Sequence, residues 1–231
     1  MWRPRICQAV EAHGQAGDLA RATGNSHTEA STWNNLGRAR FKQGRFEEAV
    51  VAHTRAWEMF RSTGDRHRAA TTRNNLGRAL RETGRPREAL AAHASARAVF
   101  EEVGDPERLA TTWNDSGLAL AALGRYDEAV AAHLRAVRAY ADLDDRHRQA
   151  VAANDLGSTL LSAGRRAEAV AAHRQALRLY KGLADHYGEE ETRELLTAAG
   201  QVTGATGGGQ PVAGRPGDAV IRDASGEAGS P

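Results

Sequence analysis

The hexapeptide NNLGRA occupies Asn34–Ala39 and returns, letter for letter, at Asn74–Ala79. Setting the chain in rows of forty residues extends the coincidence to whole columns. Gly37, Gly77, Gly117 and Gly157 form one, and Gly44, Gly84, Gly124 and Gly164 another. Ala49, Ala89, Ala129 and Ala169 are followed by His53, His93, His133 and His173, and those by Ala56, Ala96, Ala136 and Ala176. Phe60, Phe100, Tyr140 and Tyr180 add an aromatic column, while Asp65, Asp105, Asp145 and Asp185 close the rows. The rows align without an insertion. The sequence is therefore an array of structural repeats.

Each row reads as two helices. In the second row Asp65 is a suitable N-cap for a helix carrying Ala69, Ala70, Leu76 and Leu80 on one face. Gly84 stops it as a C′ glycine, and Pro86 stands where a first helical turn accepts proline. The next helix carries Ala89, Leu90, Ala92, Ala96, Val99 and Phe100, and Gly104 ends it. Two helices of roughly 16–18 residues and two short turns fill the period. Gly and Ala columns fall where helices approach closely, so the hexapeptide recurs because one helix–helix contact recurs.

Composition agrees. Of 231 residues 41% are hydrophobic but only 5% aromatic, which suits alanine-lined helices better than a β-sandwich. The 31 Lys and Arg are matched by 29 Asp and Glu, a net charge of +2, so no basic stripe supports nucleic-acid binding. Cys7 is the only cysteine, which rules out an internal disulfide and fits a reducing compartment. No apolar run is long enough for a signal peptide or membrane span, and a cytoplasmic protein is expected.

The pattern resembles the tetratricopeptide repeat across about residues 5–200. The first helix of that family carries a large residue, then Leu-Gly, then another large residue; here these are Trp33, Leu36, Gly37 and Arg40, the last replaced in later rows by Leu80, Leu120 and Leu160. Ala49 and Ala56 match the second helix, with His53 in place of the family's aromatic residue. The forty-residue period resembles the longer-helix repeats of kinesin light chains, Leu-Gly-Asn adaptors and the C-terminal arrays of actinobacterial regulator ATPases. The resemblance implies an all-α, right-handed superhelical solenoid of helix–turn–helix repeats and a role in protein binding. Chaperone-binding members clamp a carboxylate partly with a Lys near the start of a first helix. The matching positions are Ser31, Thr71, Thr111 and Val151, so that activity is not implied.

The expected organisation is an N-terminal half-repeat (1–24), repeats at 25–64, 65–104, 105–144 and 145–184, a capping helix (185–200) and a disordered Gly-rich tail (201–231). Ala9, Val10, His13 and Ala16 are in register with Ala49, Val50, His53 and Ala56, so the half-repeat is a second helix without its first. Its open face either frays as an imperfect cap, marks the remnant of a longer array, or joins a second subunit. In the capping helix, Glu190, Glu191 and Glu194 suit a solvent-facing surface.

No P-loop, G-x-S-x-G or reactive-cysteine context is present, so no catalytic residue and no cofactor is expected. The histidine ladder invites a metal site. Equivalent positions of stacked repeats, however, lie on the order of 10 Å apart, whereas ligands of one zinc ion converge within about 2.1 Å of it. The histidines are better read as half-buried packing residues that donate a ring N–H to a neighbouring helix.

The asparagine ladder is the candidate binding site. Asn34, Asn74, Asn114 and Asn154 occupy the first-helix position that faces the concave groove in the family. A primary amide offers both donor and acceptor to an extended peptide backbone. The alternative is that the amides bond the adjoining helix and shape the superhelix; the second column, Asn35, Asn75, Asp115 and Asp155, is read that way. One turn beyond lie Arg38 and Arg78, then Leu118 and Ser158. With Lys42 and Arg81 they make the first half of the groove positive, while Leu118, Ala121 and Leu161 make the second apolar. The partner expected is a protein or peptide segment that is acidic or ends in a C-terminal carboxylate. Rival readings are a detached sensor array of a larger signalling ATPase or transcription regulator, and a helical-repeat RNA binder.

Overall fold

Asparagine or aspartate opens every first helix, and the reason is visible at each one. The computed structural model describes residues 24–201. The half-repeat before Gly24, with the self-association read from it, and the tail beyond Gln201 lie outside the described residues. Asn25, Asp65, Asp105 and Asp145 each accept a hydrogen bond from the backbone N–H three residues on, at 2.9–3.0 Å. The helices so started are α1 (Ser26–Lys42), α3 (Arg66–Glu82), α5 (Pro106–Ala122) and α7 (Arg146–Ser162). Second helices are α2 (Phe46–Ser62), α4 (Pro86–Val103), α6 (Tyr126–Asp142) and α8 (Arg166–Leu183), and α9 is His186–Gln201. Their N-caps are Arg45, Arg85, Arg125 and Arg165, which make no side-chain cap bond. Each arginine instead pairs with the glutamate three residues later, as Arg125 does with Glu128 at 2.6 Å.

Among the described residues there is no strand, and they form two compact units, 24–83 and 84–201. In the first, α1 packs on α2, α2 on α3, and α1 also touches α3. In the second, α4 to α9 pack each on the next, and α5, α7 and α9 also touch in sequence. This is an all-α helix–turn–helix solenoid. The core is small-residue packing around an aromatic that recurs near the end of each second helix. Ala49, Ala56, Ala129, Ala136, Ala169 and Ala176 are wholly buried, as are Phe60, Phe100, Tyr140 and Tyr180 to within 3%.

The turns ahead of the first helices need a left-handed residue. Gly24, Gly64 and Gly104 supply it, with φ of +69° to +76°, but Asp144 and Ala184 hold the same place at φ 53°. A Cβ in that conformation costs about 1–2 kcal/mol, part of which glycine returns as unfolded-state entropy. Ala184→Gly is therefore expected to raise stability by about 0.5–1 kcal/mol, read as a higher urea midpoint with an unchanged slope. A lower midpoint would contradict the strain.

Helix α9 differs from the other first helices where those receive their own second helix. Ala30 lies in one cluster with Ala56 and Phe60, and Ala110 in another with Ala136 and Tyr140. The corresponding residue of α9 is Glu190, which is exposed. Gly37, Gly117 and Gly157 are buried where α9 has exposed Thr197, and Leu80, Leu120 and Leu160 are buried where it has exposed Gly200. Glu194 is exposed and Glu191 half-buried. Polar and small exposed side chains therefore stand on α9 at positions that are buried in other first helices.

Candidate functional site

The asparagine, histidine and glycine columns meet in a single local unit, set by packing a first helix against its second. His53 from α2 lies flat on Gly37 of α1, where an added Cβ would stand 2.6–2.8 Å from three ring atoms. Its Nδ1 is 3.1 Å from Asn34 Oδ1, which also accepts from Asn75 Nδ2 at 3.3 Å. The ring is buried, not half-buried as the sequence suggests. Burial, then the nearby charges of Arg78 and Arg38, push its pKa from 6.5 down to about 3.

The second unit fixes the proton positions. Asn114 Nδ2 donates to the Asp155 carboxylate at 2.8 Å, and an ionised carboxylate only accepts. Asn114 must then turn Oδ1 to His133, 2.8 Å from Nδ1, so Nδ1 carries the proton. That leaves Nε2 of the neutral ring to accept from the Thr159 hydroxyl at 3.2 Å. His133 lies on Gly117, and His173 on Gly157, as His53 lies on Gly37. Asn154 repeats the pattern: Oδ1 is 3.1 Å from His173 Nδ1, and Nδ2 donates to Thr192 Oγ1 at 2.8 Å. The Thr192 hydroxyl in turn donates to the Gly188 carbonyl at 2.7 Å. Each such asparagine ties its own repeat's second helix to the next first helix.

The candidate binding residues differ in what they leave for a ligand. Asn74 and Asn154 are buried; Asn34, Asn114, Arg38 and Arg78 are half-buried. Both amide oxygens of interest face inward, whereas the Asn34 NH₂ group meets no acceptor among the described residues. The charges of Arg38, one helical turn on, and Arg78 of α3 both act on the His53 ring; Arg78 also lies over the Phe41 ring at 5.2 Å. In the second unit Leu118, Ser158 and Leu161 are half-buried on α5 and α7.

Sequence reasoning missed the arginine–tryptophan stacks. Trp57 of α2 lies between Arg61 and Arg73, and Trp113 of α5 between Arg97 and Arg135, at 4.1–4.9 Å. The signal was present as an inversion. Positions 57 and 73 read Trp and Arg, and forty residues later positions 97 and 113 read Arg and Trp.

Among the described residues no three His, Cys, Asp or Glu side chains gather as a metal site, and no helix is long and apolar enough to cross a membrane. No curated protein matches the sequence. Solved structures do match. BtubC (BKLC) from P. vanneervenii has a TM-score of 0.64 at 17% identity, over 91% of this chain and 97% of that one. A Rap protein complexed with Competence and Sporulation Factor has a TM-score of 0.74 at 13% identity, over 85% of this chain and 58% of that one. Kinesin light chain TPR-like repeats from Podosopora anserina give 0.63 at 20% identity, over 80% and 90%. At these identities the likeness is one of fold. The tetratricopeptide repeat family model matches residues 28–102 and 108–182. The chain belongs to the tetratricopeptide repeat family.

Proposed function

We propose that the protein is a non-catalytic scaffold that binds an extended protein or peptide segment along the faces of its first helices. The observation that carries this reading is the set of donors on α1 and α3. The Asn34 NH₂ group meets no acceptor among the described residues, and Arg38 and Arg78 add positive charge near the His53 ring that Asn34 holds. A carboxylate or a chain of backbone carbonyls is the complementary partner. In the second unit half-buried Asn114 supplies an amide and Leu118 and Leu161 an apolar surface. Asn74 and Asn154 are buried, and Asn154 aligns helices beneath that surface through His173 and Thr192. The solved complex of a similarly folded Rap protein with its factor supports this use of the fold.

A second reading makes the chain a regulatory array that acts on a larger signalling machine. The chain covers 58% of the Rap protein solved with its factor and 53% of aspartyl phosphate phosphatase F from Bacillus subtilis, both of similar fold. An RNA-binding role has less behind it, because affinity for phosphates would need a basic face continuing past Leu118.

The test is crosslinked capture from the native cell with the wild type and with Arg38→Gln/Arg78→Gln. Exposed or half-buried polar changes on a helix should leave stability within about 0.5 kcal/mol. Specific proteins held by the wild type should fall on the order of tenfold in the variant. Equal recovery from both would remove the first-helix faces as the binding site.

A further inference from the structure

The seam between α2 and α3 carries an unbalanced charge that the groove does not use. Trp57 is clasped by Arg73 at 4.1 Å and Arg61 at 4.9 Å from its ring centroid. Towards α1, Arg55 covers Trp33 at 4.9 Å and lies 3.7 Å from Glu29. Trp33, Trp57 and Met59 are only partly buried against Ala30, Ala56, Phe60 and Ala69. Val51, on the outer ridge of α2, is 66% exposed, more than any other large hydrophobic residue described.

A guanidinium over a tryptophan ring is attracted by it. Two cations around one ring also repel each other, and Arg73 is less basic than usual through burial and then the charge of Arg61. Among the described residues no carboxylate pairs with Arg61 or Arg73, and Nε of Arg73 is buried without an acceptor. A buried donor left unpaired is costly. The sister arrangement at Trp113 is compensated, since Glu101 lies 3.8 Å from Arg97. The wider surroundings have the same bias. Residues 24–83 hold eleven Lys and Arg against six Asp and Glu, and residues 84–201 fifteen against eighteen.

We propose that the α2–α3 face bearing Trp57, Arg61 and Arg73 is a second docking surface, for an acidic partner-protein segment that also carries an apolar side chain. Carboxylates of the segment pair with Arg61 and Arg73 and neutralise them, and the apolar side chain covers the exposed part of Trp57. Partly buried Trp, Met and Arg are the residue types that dominate binding energy at protein interfaces. This surface and the Arg38–Arg78 face stand or fall separately.

The experiment uses the full chain and a fluorescein-labelled peptide of alternating Glu and Leu, read by fluorescence anisotropy at low and physiological salt. Arg61→Ser, which leaves the half-buried Arg73 in place, and Arg61→Ser/Arg73→Gln are compared with Arg38→Gln/Arg78→Gln, each checked for folding by circular dichroism. Both α2–α3 variants are expected to bind on the order of tenfold more weakly, and the groove variant measures separately any share of the binding that the Arg38–Arg78 face contributes. No binding at low salt, or Arg61→Ser binding like wild type, would overturn the proposal. So would loss that follows the groove variant alone. A single-stranded oligonucleotide of equal charge is the last arm: binding as tight, with the same dependence on Arg61, reassigns the face to nucleic acid and also overturns it.

Discussion

Acidification from pH 7 to pH 4 is expected to cost the fold about 3 kcal/mol through His53 alone. The ring is buried in its neutral form, donates Nδ1–H to Asn34, and has the positive charges of Arg78 and Arg38 nearby. Its pKa is about 3 in the folded chain against 6.5 in the unfolded one. Between those values the unfolded chain binds more protons than the native state, so stability rises with pH. The contribution is complete above about pH 6.5, then falls by about 1.4 kcal/mol per pH unit towards pH 3. Urea unfolding of wild type and His53→Phe at pH 7 and pH 4 isolates the residue, because other titrating groups act on both proteins. Phenylalanine keeps a flat ring on Gly37 but has nothing to protonate. The variant starts lower, having lost the bond to Asn34, and should lose about 3 kcal/mol less than wild type on acidification. Parallel losses would mean that His53 is solvated or already charged in the native state.

What was legible in the sequence was whatever repeats locally. The period, the helix pairs, the Asp N-caps and the glycine turns follow from residues within a few positions of one another, and the structure places them as read. Long-range pairing was not legible. Asn34 and His53, or Asn114 and His133, are 19 residues apart, a spacing that neither a helix nor the forty-residue period singles out. The histidine, asparagine and glycine columns therefore looked like three features with three explanations. Packing makes them one: glycine admits the ring, the ring orients the amide, and the amide's remaining donors reach the next first helix or solvent. The arginine–tryptophan stacks eluded the sequence for the same reason, since the partners sit on successive helices and their identities exchange from one repeat to the next. The choice of amides for direct contact needed burial, which separates Asn34 and Asn114 from Asn74 and Asn154 although all four share a column.

Gly117→Ala is expected to destabilise the protein by about 3 kcal/mol, although alanine is the better helix former by about 1 kcal/mol. The new methyl group would stand 2.6 Å from His133 Cε1, 2.7 Å from Nε2 and 2.8 Å from Nδ1. A flexible side chain could swing away, but this ring is held at both nitrogens, by Asn114 and Thr159, and is wholly buried. Moving it breaks one or both bonds and leaves polar atoms without partners, each costing about 1–3 kcal/mol. Gly182→Ala supplies the contrast within the same molecule. Gly182 lies near the end of α8, exposed, with no atom within 4 Å of an added Cβ. There only helix propensity operates, and stability should rise by up to about 1 kcal/mol. Urea midpoints at pH 7 should therefore move in opposite directions for the same chemical change. If Gly117→Ala instead matched wild type, the His133 ring could not be lying on that glycine, and the Asn–His–Gly unit would lose its basis.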